Sequence, residues 1–133
     1  MYFWLMLSPI TIWICIVDVK DGRIPNRALV LLALSIEIHL RLLESSPILH
    51  SHIFALLTFS VGCGVSLALR GAIGMGDIKL LALLALLNGH LRSTLEILTY
   101  ASTLALIWAV FKRKRSIPFG PYLLAGYFLT LIS

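Results

Sequence analysis

Charge is what this sequence is short of. Asp, Glu, Lys and Arg make up 13% of its 133 residues, against about 25% in an ordinary soluble domain. Too little polar surface remains to cover a globule in water, so the lipid bilayer is the expected solvent and partner. Acid is scarcest, with six acidic against eleven basic residues and a net charge of +5. The basic residues lie in short gaps between apolar runs rather than along one solvated face. Nucleic acid is therefore not an expected partner, and the charges read as markers of topology. Cysteine is equally sparse. Cys15 and Cys63 both fall inside apolar runs, and there is no CxxC pair. A zinc site or a disulfide framework is not expected, and the two thiols read as small packing residues. No metal and no cofactor is expected. No basic stretch precedes the apolar run 1–17 and no small-residue cleavage site follows it, so the run reads as a retained first helix rather than a signal peptide. Internal repeats and low-complexity linkers are absent too, which leaves a single domain over 1–133 as the expectation.

What is present is hydrocarbon. Apolar residues make up 59% of the chain. They gather into six runs, Tyr2–Val17, Ala28–Leu43, Ile48–Leu69, Ile78–Leu91, Ser93–Phe111 and Phe119–Ile132. Backbone groups in lipid must be paired within the segment, and these runs do not alternate as barrel strands do. The expected fold is all-α, a polytopic bundle of about six membrane helices. The fourth run is short, about 21 Å at 1.5 Å per residue, against a hydrocarbon core of about 30 Å. Asp77, just before it, is therefore expected below the membrane surface in a wet cavity. Pro9 is expected to kink the first helix. With six helices, the first, third and fifth loops share a side. That side carries Lys20, Arg23, Arg27, Arg70, Lys79 and the run Lys112, Arg113, Lys114 and Arg115, against only Arg41 and Arg92 opposite. The basic side is expected to face the cytoplasm of a cell (inner or plasma) membrane.

Two acids then stand out. Asp18 directly follows an apolar run, in Val17-Asp18-Val19-Lys20-Asp21-Gly22-Arg23-Ile24-Pro25-Asn26. Asp77 directly precedes one, in Gly74-Met75-Gly76-Asp77-Ile78-Lys79. Each alone has a structural account: Asp77 as a helix N-cap, Asp18 as a boundary residue. Together, on one membrane face, they suggest paired carboxylates that share a proton. The ionised member of such a pair takes a proton from water and the protonated member donates to the scissile carbonyl. Gly74 and Gly76 would let backbone approach a substrate strand, and Pro25 fixes a turn beside Asp18. Asn26 is a candidate cap for the second helix. Lys79, two residues from Asp77, points to a different helix face; it is a candidate supporting residue that attracts the acid pair or the substrate, with a membrane anchor as its structural account. Asp21 sits in the polar loop and reads as solvated. Glu37 lies inside the second run with Arg41 at i+4, an expected ion pair. The histidines His39, His50, His52 and His90 fall towards the outer side, away from both aspartates.

These segments, with Ile117-Pro118-Phe119-Gly120-Pro121, resemble the type IV prepilin leader peptidases, membrane aspartic proteases of the GxGD type. The resemblance covers nearly the whole chain, with three motifs in order on one membrane face. It implies an aspartic endopeptidase (a hydrolase) with Asp18 and Asp77 as catalytic pair. The substrate it implies is a prepilin or pilin-like precursor, whose short basic leader is cut at the cytoplasmic face, usually after a glycine. Large members carry a domain with two CxxC pairs and N-methylate the new terminus. This chain has neither those cysteines nor room for that domain, so it resembles a short form expected to cut without methylating. Signal peptide peptidases resemble a Tyr-Asp and Leu-Gly-Leu-Gly-Asp pattern, which Val17-Asp18 and Gly74-Met75 do not follow. The alternative from another class is a non-catalytic membrane assembly subunit of a pilus or secretion system.

Overall fold

The structure, a computed structural model, describes residues 2–43, 48–71, 73–112 and 117–132. They form six α-helices: α1 (Tyr2–Asp21), α2 (Asn26–Leu43), α3 (Ile48–Ala68), α4 (Met75–Asn88), α5 (Leu91–Lys112) and α6 (Gly120–Ile132). The six elements match the six apolar runs, but their ends differ in a way that bears on the acids. α1 continues past Val17 to Asp21, so Asp18 lies in its last turn. α4 begins at Met75, so Asp77 lies in its first turn rather than ahead of it. Polar residues at a helix end cost little where solvent or a partner is within reach, so the first run stops short of its helix end and the fourth starts late; the fourth also overruns, since α4 closes at Asn88 on the left-handed Gly89. The run Lys112–Arg115 falls almost wholly outside the described residues.

α4 is the centre of the bundle and packs on α2, α3, α5 and α6. The sequence Ile78-Lys79-Leu80-Leu81-Ala82-Leu83-Leu84-Ala85-Leu86 has no polar stripe beyond its first turn, and the helix buries residues on several sides: Ile78, Leu80, Ala82, Leu84, Ala85 and Leu86. A helix apolar all round belongs inside. α1 packs on α2 and α6, and α5 packs on α6. Ile14, Leu32, Ile36, Leu40, Leu80, Ile97 and Leu123 form the fully buried heart of the core. Pro9 lies within α1, which runs through it as one helix.

The tightest helix pairs close on glycine. A Cβ on Gly62 of α3 would meet Ile78 Cγ2 at 2.7 Å. A Cβ on Gly126 of α6 would lie 2.6 Å from the Ile97 carbonyl oxygen and 3.1 Å from the Ala101 nitrogen of α5. Small residues that let backbones approach are how helices associate where lipid removes the hydrophobic drive. Two helical stretches, Leu49–Ala68 and Leu91–Phe111, are long and apolar enough to cross a membrane; α6 is apolar but shorter.

The polar residues in the second half of α2 also find partners. Glu37 pairs with Arg41 at 2.7 Å, as the i+4 spacing implies, and also with His52 Nε2 of α3 at 2.9 Å. The second contact joins two helices and was not readable from local spacing. Gly126→Ala should destabilise the detergent-solubilised protein by about 1–3 kcal/mol, because backbone atoms of α5 cannot yield. Gly64→Ala, with nothing within 4 Å of the added carbon, should leave the melting temperature unchanged or raise it. Equal melting curves for the two variants would contradict this account of the α5–α6 contact.

Candidate active site

The site lies where α1 ends and α4 and α6 begin. α1 closes on Gly22, whose N–H donates to the Asp18 carbonyl at 2.9 Å. Its φ of 61° is a left-handed conformation that glycine adopts without strain. The chain turns there, and Ile24 points back into the core, only 9% exposed. The Pro25 carbonyl then accepts the N–H groups of Ala28 and Leu29, at 3.0 and 3.2 Å, and opens α2.

Ile24 is the wedge of the site. A Cβ on Gly76 would sit 3.0 Å from Ile24 Cβ, and one on Gly120 would sit 3.1 Å from Ile24 Cδ1. The first turn of α4 and the first residue of α6 thus close on the same side chain, which brings their backbones against the end of α1. Gly74 serves α4 differently. It is the N-cap residue, in extended conformation and with no side-chain cap, and its carbonyl accepts the Asp77 N–H at 3.1 Å. The capping role considered for Asp77 is thereby excluded. A Cβ on Gly74 would lie 3.1 Å from Asp77 Oδ2, so a side chain there would crowd the carboxyl. Ahead of Gly74, the buried Ser66 hydroxyl donates to the Ile73 carbonyl at 3.0 Å and ties the entry loop to α3.

Asp18 and Asp77 line one cleft of about 330 Å³. Val19, Gly22, Trp108, Ile117, Pro118, Phe119, Pro121 and Tyr122 complete its walls. Asp18 is 4% exposed, and its Oδ2 accepts the Gly120 N–H at 3.0 Å. This bond joins residues 102 positions apart. A Cβ on Gly120 would fall 2.6 Å from the same oxygen, so only glycine lets this amide approach. A hydrogen bond to a charged group is worth about 1.5–3 kcal/mol. The adverse dipole at the C-terminal end of α1 costs about 0.3–1 kcal/mol, so the α6 amide outweighs it.

Both carboxyls sit at helix ends beyond the apolar runs, and both are raised above the ordinary range. For Asp18 burial raises the pKa, and the Gly120 N–H works against it. For Asp77 burial is the larger cause and the charge of Asp18 the second, and together they push it to about 6. Asp18 shows the smaller surface, but Asp77 has more protein packed around its carboxyl and the stronger shift.

The remaining expected residues divide. Lys79 does not reach into the cleft; its Nζ donates to Asn26 Oδ1 at 3.2 Å and ties the start of α4 to the start of α2. Asn26 therefore does not cap α2; the helix has already opened on the Pro25 carbonyl. Asp21 is exposed and lies outside the cleft lining. Trp108 and Tyr122 were not singled out in the sequence, and Gly120 entered only as part of the Ile117–Pro121 segment, with no role of its own. Nothing local marks their contacts, because these depend on α5 and α6 closing on α1.

The chain matches the type IV leader peptidase family over residues 5–110. It belongs to that family. Membership makes it a peptidase acting on prepilin-like substrates and a membrane protein, in keeping with its two long apolar helices. No curated protein and no solved structure gives a significant match.

Two outcomes follow for this leader peptidase. Gly76→Ala should cut prepilin processing about ten- to a hundredfold. Trimming Ile24 to Ala should not restore it, because the nearest atom is its Cβ; recovery would refute the wedge. The second concerns pH and stability. The folded pKa of Asp77 is raised from 3.8 to about 6. Its contribution is therefore present below the unfolded value and lost as pH rises through about 6. Asp77→Asn should melt a few degrees higher than the unmodified protein at pH 7.5, with the gap closing below pH 4. A lower melting temperature at pH 7.5 would contradict the desolvated carboxyl.

Proposed function

We propose that the chain is an aspartic endopeptidase in which Asp18 and Asp77 are the catalytic pair. One observation carries the reading: the two carboxyls line the same cleft, and each is shifted towards the neutral form mainly by burial. Two carboxyls that feel each other in a half-dry site give up their protons in separate steps, which leaves a pH range in which one is ionised and the other is not. That state supplies both parts of amide hydrolysis, a base for water and an acid for the carbonyl oxygen. No step requires a metal or a cofactor.

The proposed substrate is a prepilin or pilin-like precursor, cut after its short basic leader, usually at a glycine. The cleft walls support an extended, mostly apolar strand: Val19, Ile117, Phe119 and Tyr122 flank the acids, and Gly22 leaves one side open. The six helices are proposed to cross the cell membrane as a single domain over 1–133. The basic loop side, and with it the cleft, faces the cytoplasm. α4 and α6 have 14 and 13 residues, about 20 Å of rise, so the bilayer must thin or water must enter above the acids. The 133 residues hold no CxxC pair, and the proposed reaction is limited to peptide cleavage without N-methylation.

Co-expression with a pilin precursor tests this directly. The unmodified chain should convert the precursor to the shorter form. Asp18→Asn and Asp77→Asn should each slow conversion about a thousandfold or more, with normal membrane levels. Processing at the ordinary rate by either variant would overturn the two-aspartate mechanism. No processing by the unmodified chain would favour a non-catalytic assembly subunit.

A further inference from the structure

We propose that the Gly120 amide at the start of α6 is a positioning group that holds Asp18 as the carboxylate, so that Asp18 activates the water and Asp77 carries the catalytic proton. The inference rests on the two-aspartate reading above and deepens it by giving each acid one role.

The geometry is unequal at the two acids. Asp18 Oδ2 accepts a buried backbone N–H at 3.0 Å. An N–H can only donate, so it favours the ionised carboxyl over the protonated one. The Asp77 carboxyl receives no hydrogen bond among the described residues. Lys79, the cation nearest in sequence, turns its ammonium to Asn26 instead. The helix dipoles act the other way: Asp77 lies in the first turn of α4 and Asp18 in the last turn of α1. A direct hydrogen bond to a buried carboxylate outweighs a dipole at a partly exposed helix end. The titratable groups that face the pair agree with this order. Tyr122 of α6, a phenol whose ordinary pKa is about 10, lines the cleft. Neither α2 nor α3 contributes a residue to the cleft lining, and α5 contributes Trp108, which does not titrate. On its own helix Asp18 faces Cys15, a free thiol one turn back. Among the described residues no cation lines the cleft to pull Asp77 towards its charged form.

The steps then balance. Water gives a proton to the Asp18 carboxylate as its oxygen bonds the scissile carbon, and the carbonyl oxygen takes the proton of Asp77. In the second step the C–N bond breaks and the amine nitrogen takes the proton from Asp18. One hydroxyl of the diol returns its proton to Asp77, which restores the starting state and leaves a carboxylic acid and an amine. The close fit at Gly120 is what fixes this assignment, since any side chain there would strike Asp18 Oδ2 at 2.6 Å.

Two measurements test the assignment. The first is a carboxyl carbon NMR titration in detergent micelles of Asp18 in the Asp77→Asn protein and of Asp77 in the Asp18→Asn protein. Asp18 should titrate at least about one unit below Asp77, a tenfold difference in proton affinity. Equal values, or the reverse order, would overturn the assignment even if both variants fail to process precursor, in which case the two-aspartate reading stands. Processing by Asp18→Asn would instead sink that underlying reading. The second replaces Gly120 by glycolic acid through nonsense suppression, which exchanges the N–H for oxygen and adds no side chain. The acid limb of the kcat/KM profile should move up by about one pH unit, with kcat reduced and KM held. A uniform loss with an unmoved limb would reduce Gly120 to a packing residue and refute the proposal.

Discussion

Ile24 between Gly76 and Gly120 is the contact on which the site depends. It is the point at which three helix ends, far apart in sequence, are brought into one small volume. Each glycine leaves room for the same side chain, and each sits next to a group the cleft uses: Gly76 beside Asp77, Gly120 on Asp18. At Gly76 the contact is with Ile24 Cβ and backbone nitrogen, which no rotamer change can relax; at Gly120 it is with Ile24 Cδ1, beside the closer approach to Asp18 Oδ2. Packing of this kind is stiff, and stiffness is what holds a carboxyl and an amide in register at the mouth of an otherwise apolar bundle.

The electrostatics follow from that packing. A bundle with 13% charged residues offers few ways to compensate a buried acid. Among the described residues Asp18 is compensated by one amide, and Asp77 by none. The family to which the chain belongs is one of peptidases, and under the proposed two-aspartate reading two acids with unequal support are suited to hydrolysing an amide below about pH 6, where Asp77 keeps its proton. The described cations of the neighbouring helix starts do not enter the cleft. Lys79 is tied to Asn26, and Arg23 and Arg27 are exposed, outside the cleft lining.

Much of this was legible in the sequence. Hydrophobic runs gave six helices in the right order, because an all-apolar segment has few other stable forms in this context. The acids beside Gly22 and after Gly74-Met75-Gly76 stood out because charge at the edge of such a run is costly. Helix ends were misjudged at Asp18 and Asp77, because composition marks where lipid contact stops and not where hydrogen bonding stops. Asn26 was misread for a related reason: a good capping residue lost the position to the Pro25 carbonyl one place earlier. The amide of Gly120 and the His52 contact to Glu37 were not legible. Both are long-range pairings fixed by which helices pack together, and nothing in the local spacing encodes them.

The central claim is that one ionised and one neutral aspartic acid together cut the peptide bond. The pH dependence of kcat/KM for a soluble prepilin fragment, measured on the detergent-solubilised enzyme, tests it most directly. The account gives a bell, with an acid limb from Asp18 and an alkaline limb near the Asp77 value of about 6. The alkaline limb should vanish only together with activity in Asp77→Asn. A single limb that rises through pH 7 to a plateau, as a histidine- or thiolate-based hydrolase gives, would contradict it.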